Sequence, residues 1–238
     1  SIENIDVIFH LAAKARVQPS IESPIEYHDA NVNGTLNLLV AARDAGVKRF
    51  VFSSSSSVYG DVEEKDLPTS EDANLNPISP YALHKSIGEQ YCKLFSTLYD
   101  METVSLRYFN VYGDRMSLEG AYKLVIPIFT EQRLNGEPMT IRGDGEQRRD
   151  FTYVGDVVNA NIQVGFDKHK LKGAVLNVGN GDNRSVNEIA DMIGGDRVNV
   201  EPVIEPKETL ADNRELQECF DWKPTMKIED WIPSWKES

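Results

Sequence analysis

The sequence is poor in the residues that build disulfide scaffolds and metal centres. It holds two cysteines, Cys92 and Cys219, and four histidines among 238 residues. The cysteines lack metal-ligand spacing and the histidines are scattered, so no metal site is predicted. Two isolated thiols fit a reducing cytoplasm better than a secreted, disulfide-linked protein.

Excess basic charge and long apolar runs are lacking as well. The formal net charge is -13 at pH 7, and a nucleic-acid partner is not expected because it would need a basic face. A single anionic ligand held by a few local arginines remains compatible with this charge. No apolar run approaches the roughly 18 residues of a membrane span, and 1–16 lacks the basic segment of a signal peptide. These absences predict a cytoplasmic protein without membrane contact.

What the sequence does contain is an alternation of strand and helix patterns. Residues 5–13 and 49–53 are apolar enough for buried strands, and a helical pattern over 25–45 separates them. A second helical run begins at Tyr81 and leads to a strand over 103–108. Strand, helix and strand in succession make parallel crossovers. The sequence therefore predicts an α/β fold with an open, doubly wound parallel sheet.

The alternation becomes irregular after residue 113. A helical pattern over 125–135 is followed by a Gly-rich stretch, and residues 198–238 are rich in Pro, Glu and Trp. We interpret the chain as a sheet domain and a smaller α/β lobe that closes over its mouth. The sheet domain would comprise 1–113, 150–166 and 174–180, and the lobe 114–149 and 181–238.

Tyr81 and Lys85 are four residues apart, so on a helix their side chains lie on one face. A free phenol, with a pKa of ~10, is a poor base at neutral pH. A nearby ammonium stabilises the phenolate and lowers that pKa, so the pair predicts a proton-transfer device. Tyr and Lys also occur at this spacing by chance on many helices, and the pair by itself leaves both interpretations open.

Three segments reach the carboxyl edge of the predicted sheet, where open parallel sheets bind ligands. They are HLAA at 10–13, a run of five serines at 53–57, and RYFN at 107–110. The serine run by itself fits a flexible loop. Its position directly after a buried strand favours a place in a site.

Six motifs occur in order along nearly the whole chain. They are HLAA (10–13), NVxGT (31–35), SSSxxVYG (53–60), SPYxxxK (79–85), LRYFNVYG (106–113) and RRDFxYVxD (148–156). Together they resemble the extended short-chain dehydrogenase/reductases, and more narrowly the nucleotide-sugar epimerase/dehydratase group. The resemblance implies a Rossmann-like sheet domain, NAD as cofactor and a UDP-sugar as substrate. It also implies a homodimer formed through the helices at 25–45 and 81–98.

The resemblance assigns three catalytic residues. Tyr81 would take the proton from the C4 hydroxyl of the sugar. Lys85 would lower the pKa of that phenol and bind the nicotinamide ribose, and Ser55 would bind the same C4 hydroxyl and relay its proton. Counting back from VYG selects Ser55, with Ser54 and Ser56 as open alternatives.

The resemblance also assigns two binding sites. On the cofactor side it implies Leu11, Ala12, Ala13, Lys14, Asn31, Ser53, Ser54, Tyr81, Lys85 and Tyr108. On the substrate side it implies Ser55, Asn110, Val125, Arg149 and Thr209. Asn110 and Arg149 would grip the nucleotide diphosphate, which suits a guanidinium fork. A surface ion pair is the alternative for Arg149.

The residues after Ser55 separate two reactions within the family. Hexose 4,6-dehydratases resemble one another in carrying Asp-Glu there, because water elimination needs a separate acid and base. This chain has Ser56 and Ser57, so we expect a 4-epimerase that interconverts UDP-Glc and UDP-Gal through a transient 4-keto intermediate. The alternatives are a UDP-glucuronate epimerase or decarboxylase, and a catalytically inert protein that binds NAD or a nucleotide sugar.

Two segments bear on the choice of sugar. GAYKLVIP at 120–127 is similar to epimerases of UDP-N-acetylhexosamines. Thr209 would lie beside the C2 substituent, where its small side chain leaves room for an acetamido group, so we expect UDP-GlcNAc and UDP-GalNAc to be accepted too. The family's R-x-G falls at 202–204, where this chain has Pro-Val-Ile. That departure predicts weaker nucleotide affinity unless Lys207 or Arg214 replaces the arginine.

The family's Gly-rich turn, GxxGxxG, is absent from this sequence. In the family that turn holds the pyrophosphate through backbone N–H groups and a helix N-terminus. We expect the chain to be a fragment of a larger protein, or to be completed by another chain, and to bind NAD poorly and turn over little by itself. Residues 5–10 would then form an exposed apolar sheet edge.

Overall fold

The structure is a computed structural model that describes residues 4–116, 124–202 and 205–236. Its larger sheet consists of β1 (Val7–His10), β2 (Arg49–Ser55), β3 (Glu102–Tyr108) and β7 (Lys172–Val178), in that order. All three pairings in this sheet are parallel. The predicted open parallel sheet is therefore confirmed.

The connection between β1 and β2 holds more helix than the sequence predicted. A single helix over 25–45, with a loop before it, was expected. The structure has α1 (Val17–Glu22), α2 (Pro24–His28), a π-helical turn (Asp29–Asn33) and α3 (Gly34–Asp44) there. Ser20 is buried in α1, and its Oγ accepts a hydrogen bond from the N–H of Tyr81 at 3.1 Å. This contact joins residues far apart in the chain, so no local pattern signals it.

Helices cover both faces of the sheet. α4 (Pro80–Tyr99) packs on one face, where Phe52 of β2 joins its core, and α6 (Val154–Phe166) packs on the other, where Val51 joins the core. Successive side chains of a strand point to opposite faces, so neighbouring residues of β2 serve two different cores. This arrangement is the doubly wound fold.

β1 forms one edge of the sheet and is shorter than the predicted strand. The chain leaves the sheet after His10, and residues 11–16 have no regular secondary structure. Ile5 is exposed, whereas Phe9 is half-buried against Phe166 of α6, with ring centroids 6.0 Å apart. The expected exposed apolar edge is thus only partly exposed, because α6 covers one of its faces.

α4 is the element that carries Tyr81 and Lys85. Ser79 caps its N-terminus, with Oγ accepting from the Ala82 N–H at 3.2 Å, and Pro80 occupies the first turn, where no N–H is needed. Gly88 lets the helix approach the sheet, since a Cβ there would lie 2.3 Å from the ring of Phe52. Within the described ranges, no helix is both long and apolar enough to cross a membrane.

The rest of the described chain builds two small sheets and further helices. β4 (Asn110–Tyr112), β6 (Arg148–Tyr153) and β8 (Asn183–Ser185) form one sheet, and β5 (Met139–Arg142) pairs with β9 (Arg197–Val200). The helices are α5 (Val125–Leu134), α7 (Val186–Ile193), α8 (Arg214–Cys219) and α9 (Ile228–Lys236). Phe129, Ile189 and Trp231 belong to a core separate from those on the larger sheet. The domain boundaries given above remain a prediction.

Candidate active site

Tyr81 and Lys85 lie on the face of α4 that is turned toward the sheet. Lys85 is 5% exposed, and its Nζ lies 5.8 Å from the centroid of the Tyr81 ring and 5.1 Å from that of Phe52. The sequence predicted this neighbourhood from the spacing of four residues. The structure shows that the ammonium lies beside two aromatic rings.

Lys85 is anchored to the end of β2. Its Nζ donates to the carbonyl oxygen of Ser53 at 2.7 Å. Burial lowers the pKa of Lys85 to about 8, and the charge of Glu89 acts in the opposite direction. The amine is therefore mostly protonated at neutral pH. An ammonium has three N–H donors, and the described residues provide one acceptor, so two donors remain for a ligand.

The phenol of Tyr81 behaves differently from the prediction. Burial raises its pKa, and a hydrogen bond with Ser55 acts against that rise without overcoming it. The expected lowering by Lys85 is not found, because the ammonium is turned to the carbonyl of Ser53. In this structure Tyr81 therefore carries its proton at neutral pH.

Neighbouring serines of β2 have different partners. Ser55 ends the strand, hydrogen-bonds Tyr81 and accepts from the N–H of Ser57 at 3.2 Å. Ser54 is buried and donates instead to the carboxylate of Glu89. Because adjacent side chains alternate in direction along a strand, only one of these two can face Tyr81. The geometry favours Ser55 over Ser54 as the partner of the phenol.

Ser53 and Tyr108 lie together at the ends of β2 and β3. The Oγ of Ser53 is 3.0 Å from the Oη of Tyr108, which also accepts from the Nδ2 of Asn161 on α6 at 2.8 Å. Burial raises the pKa of Tyr108, so this phenol is neutral at physiological pH. The contacts hold both predicted cofactor-side residues at the carboxyl edge of the sheet.

The loop after β1 is exposed at the same edge. Leu11 is 59% exposed, and Ala12 and Ala13 are exposed as well. Lys14 is held from below by Asn31, whose Oδ1 accepts from the Lys14 N–H at 2.8 Å and whose Nδ2 donates to the Lys14 carbonyl at 2.9 Å. Asn31 is buried, and both ends of its amide bond the backbone of Lys14. Asn31 therefore holds the loop in place, and its direct contact with the cofactor stays a prediction.

A cavity of about 330 Å³ lies beyond the end of β3 and is lined by residues of β4, α5, β5 and β6. It brings together three of the predicted substrate-side residues, Asn110, Val125 and Arg149. Aromatic and aliphatic side chains form much of its wall, among them Tyr112, Phe129, Phe151 and Val186. A mostly apolar cavity with a few convergent polar groups is the usual form of a small-molecule site.

Arg149, which lines this cavity, already forms an ion pair within the chain. It is 9% exposed, its Nη2 donates to the carboxylate of Glu205 at 2.5 Å, and its Nη1 donates to the carbonyl of Arg148 at 2.8 Å. The ion pair weighed as an alternative from sequence thus exists, and it joins the buried Arg149 to the exposed Glu205 in the wall of the cavity. Sequence reasoning missed Glu205, which no local pattern singles out.

Thr209 lies apart from this group. Its Oγ1 accepts from the N–H of Asp150 at 3.2 Å, and it is not among the residues that line the cavity. Its place beside the C2 substituent of the sugar stays a prediction. Residues 120–123 of the segment similar to N-acetylhexosamine epimerases, and residues 203–204, lie outside the described residues.

A doubly wound sheet with a Tyr-Lys pair on a helix packed against it and a serine loop at its carboxyl edge defines the extended short-chain dehydrogenase/reductase class. Within that class, the chain belongs to the NAD dependent epimerase/dehydratase family, whose pattern matches residues 1–179. It is an NAD-dependent enzyme of the nucleotide-sugar 4-epimerase kind. The resemblance seen in the sequence is confirmed.

Three relatives illustrate this similarity. UDP-glucose 4-epimerase of Mycolicibacterium smegmatis is 38% identical over 236 residues, covering 95% of this chain and 74% of the relative. The structure of UDP-N-acetylglucosamine 4-epimerase from Methanobrevibacter ruminantium M1, in complex with UDP-N-acetylmuramic acid, matches with a TM-score of 0.90 at 36% identity. It covers 97% of this chain and 75% of that one. UDP-glucuronic acid 4-epimerase from Bacillus cereus, with UDP-glucuronic acid and NAD, matches with a TM-score of 0.90 at 31% identity, over 98% and 74%.

The residues present fit the nicotinamide-ribose part of NAD. Lys85 is a buried ammonium with N–H donors left over, beside the phenol of Tyr81. The small side chains of Ala12 and Ala13 leave the neighbouring edge of the sheet open. A donor set of ammonium and phenol suits ribose hydroxyls, which both donate and accept.

Proposed function

We propose that this epimerase acts on UDP-hexoses, interconverting UDP-Glc with UDP-Gal and accepting the N-acetylated pair UDP-GlcNAc and UDP-GalNAc. The observation that carries the proposal is the contact of Tyr81 with Ser55, one helical turn from the buried ammonium of Lys85. UDP-glucuronate is the second candidate substrate, since a structural relative was solved with UDP-glucuronic acid. The described chain has no Asp-Glu pair after Ser55, which disfavours dehydration.

In this proposal Tyr81, Ser55 and Lys85 handle the proton of the sugar's C4 hydroxyl. NAD, when bound, would supply the hydride acceptor for C4 and the hydride donor for the return to the other face. Ser55 hydrogen-bonds both the hydroxyl and Tyr81, and so passes the proton between them. Since burial alone raises the pKa of the phenol, the phenolate needs the ammonium of Lys85 as its counter-charge.

The proposal assigns one binding site to the sheet domain and one to the smaller lobe. In the sheet domain (1–113, 150–166 and 174–180), the cofactor would be held by Leu11 to Lys14, Ser53, Ser54, Tyr108 and the Tyr81–Lys85 pair. Asn31 and Ser54 would act through other residues. Asn110, Val125 and Arg149 would serve the nucleotide in the lobe (114–149 and 181–238), where the cavity supports the assignment. Arg149 would exchange its bond to Glu205 for the diphosphate, a pairing that a guanidinium fork makes well.

A homodimer is part of the proposal. α4 carries an apolar stripe on its outer face at Leu83, Ile87, Leu94 and Leu98, and Leu83, Leu94 and Leu98 are 46%, 46% and 59% exposed. Residues at this spacing share one helix face. A second copy placed against this stripe would bury it, as the family resemblance implies.

The test is turnover of each UDP-sugar pair in the presence of added NAD, for the chain and for Tyr81→Phe. We expect conversion of UDP-Gal to UDP-Glc and loss of at least about 100-fold in Tyr81→Phe, the usual contribution of proton transfer. Tyr91→Phe is the matched control, because Tyr91 lies on the same helix among core residues. Equal rates in the chain and Tyr81→Phe would refute the catalytic assignment, and turnover of UDP-glucuronate alone would replace the substrate.

A further inference from the structure

Glu89 is a buried carboxylate directly behind the candidate active site. It lies on α4 four residues after Lys85, so the two side chains share one helix face. Glu89 is 5% exposed. A carboxylate is rarely buried so fully unless its oxygens are satisfied by hydrogen bonds and opposite charge.

The carboxylate of Glu89 is satisfied by β2 and β3. Ser54 donates to its Oε1, Arg107 Nε donates to the same oxygen at 2.9 Å, and Arg107 Nη2 donates to Oε2 at 2.8 Å. A fork of two parallel hydrogen bonds fixes both distance and orientation. Glu89 therefore joins the helix that carries Tyr81 and Lys85 to the strand that ends in the serine loop.

Arg107 is itself held in place from the other side. Its Nη1 donates to the Oη of Tyr59 at 2.8 Å and to the carbonyl of Glu71 at 3.0 Å. The Oη of Tyr59 in turn donates to the Oδ1 of Asn177 on β7 at 2.7 Å. The network extends across three of the four strands of the sheet, so the position of Glu89 is not set by α4 alone.

Glu89 also bears on the charge of Lys85. The charged and titratable groups near this amine are Tyr81 and Glu89 on α4 and His10 on β1, while Arg107 on β3 pairs with Glu89. Burial lowers the pKa of His10 to about 4, so His10 is neutral above that pH. Burial likewise lowers the pKa of Lys85, and the carboxylate of Glu89 opposes that shift.

We propose that Glu89 is a positioning residue of the active site, which fixes the serine loop through Ser54 and provides the counter-charge for the buried Lys85 ammonium. The inference rests on the proposed function for its catalytic meaning. Its two physical parts, a hydrogen bond and a charge, are separable by mutation. A merely structural role, in which Glu89 and Arg107 only hold α4 against β3, would stabilise the fold without affecting the protonation of Lys85.

The charge is tested through the pH dependence of unfolding, which needs neither NAD nor substrate. The pKa of Lys85 is about 8 in the folded protein and 10.5 ordinarily. Between these values the unfolded chain binds a proton at Lys85 that the folded chain does not, so the contribution of Lys85 to the unfolding free energy rises with pH through this window. Burial raises the pKa of Cys92 and of Tyr59 to about 12, and these groups contribute in the opposite direction, so the Lys85 contribution is taken as the difference from Lys85→Met. In Glu89→Gln the pKa of Lys85 in the folded protein falls further. The rise of the unfolding free energy with pH, called the rising limb below, should therefore begin at least about one pH unit lower.

Tyr59→Phe is the matched control, because it removes another hydroxyl of the same network. It should lower stability without moving the limb. In a Lys85→Met background, Glu89→Gln should no longer move the limb. If Glu89→Gln fails to fold because Arg107 is left unpaired, the double variant Glu89→Gln/Arg107→Gln is compared with Arg107→Gln, and the rise of the unfolding free energy must again begin at a lower pH in the double variant. If the unfolding free energies of Glu89→Gln and Tyr59→Phe depend on pH in the same way, the proposal is refuted.

The hydrogen bond is tested with Ser54→Ala, which keeps the charge of Glu89. We expect its rising limb to coincide with that of the unmodified chain, while kcat on UDP-Gal falls at least tenfold and KM stays within twofold. Unchanged kcat would remove the serine-loop part of the proposal. If the chain turns over no UDP-sugar at all, the proposed function fails, yet the unfolding experiment still decides the charge part.

Discussion

Identical residues at adjacent positions acquire different tasks in this protein. Ser54 and Ser55 follow each other at the end of β2, yet one bonds the carboxylate of Glu89 and the other bonds the phenol of Tyr81. The difference comes from the alternation of side chains along a strand. The sequence could locate the serine run but left three candidates for the catalytic hydroxyl.

Replacement of Ser55 should therefore be the most damaging change to direct catalysis within the run. We expect Ser55→Ala to lower kcat on UDP-Gal by at least about 100-fold, because the relay between Tyr81 and the sugar hydroxyl is lost. Ser56→Ala is the matched control, one residue further on in the 3₁₀ turn, and should retain most of the activity. The reverse order of effects in steady-state kinetics would assign the relay to Ser56.

At the scale of elements, α4 decides the geometry of the site because it must approach the sheet closely. Gly88 makes this approach possible, since a Cβ at that position would meet the ring of Phe52 at 2.3 Å, and Lys85 lies over the same ring. Overpacking inside a dense core shifts side chains and backbone. The sequence showed a helix here, but its distance from the sheet follows from packing.

Gly88→Ala should destabilise the protein by about 1–3 kcal/mol, the usual cost of overpacking. The matched control is Gly34→Ala in α3, where the nearest atom to an added Cβ is an Asp29 oxygen at 3.7 Å. That change should be neutral or stabilising by up to about 1 kcal/mol, because alanine restricts the unfolded chain. Urea unfolding of both variants measures the difference, and equal effects would contradict the packing argument.

At the scale of the whole molecule, the outer face of α4 remains uncovered by the described chain. Its leucines are less exposed than Leu134 on α5, which is 81% exposed, but unlike Leu134 they share one helix face. Contiguous apolar surface of this kind usually marks an interface. The proposed dimer would place α4, with Tyr81 and Lys85 on its inner face, in the centre of the assembly.

Leu94→Arg should therefore shift the protein toward a monomer, because a charge would be buried in the apolar interface. Leu134→Arg is the control, since this residue is exposed on a helix outside the stripe. Sedimentation velocity measures both. A dimer that persists in Leu94→Arg, or a chain that is monomeric before mutation, would contradict the proposed interface.

The sequence by itself determined the parallel sheet, the order of its crossovers and the shared helix face of Tyr81 and Lys85. These features repeat with the fixed periods of helices and strands, so spacing along the chain is sufficient to predict them. Through the family resemblance it also predicted that Asn110, Val125 and Arg149 serve the substrate, and in the structure all three line one cavity.

Tertiary structure alone decided which serine meets the phenol, that Asn31 holds a loop, and that Arg149 is paired with Glu205. It also reversed the expected shift of the Tyr81 pKa, because burial by residues from several elements outweighs a single hydrogen bond. These properties depend on burial and on partners distant in the chain. Local sequence patterns contain neither.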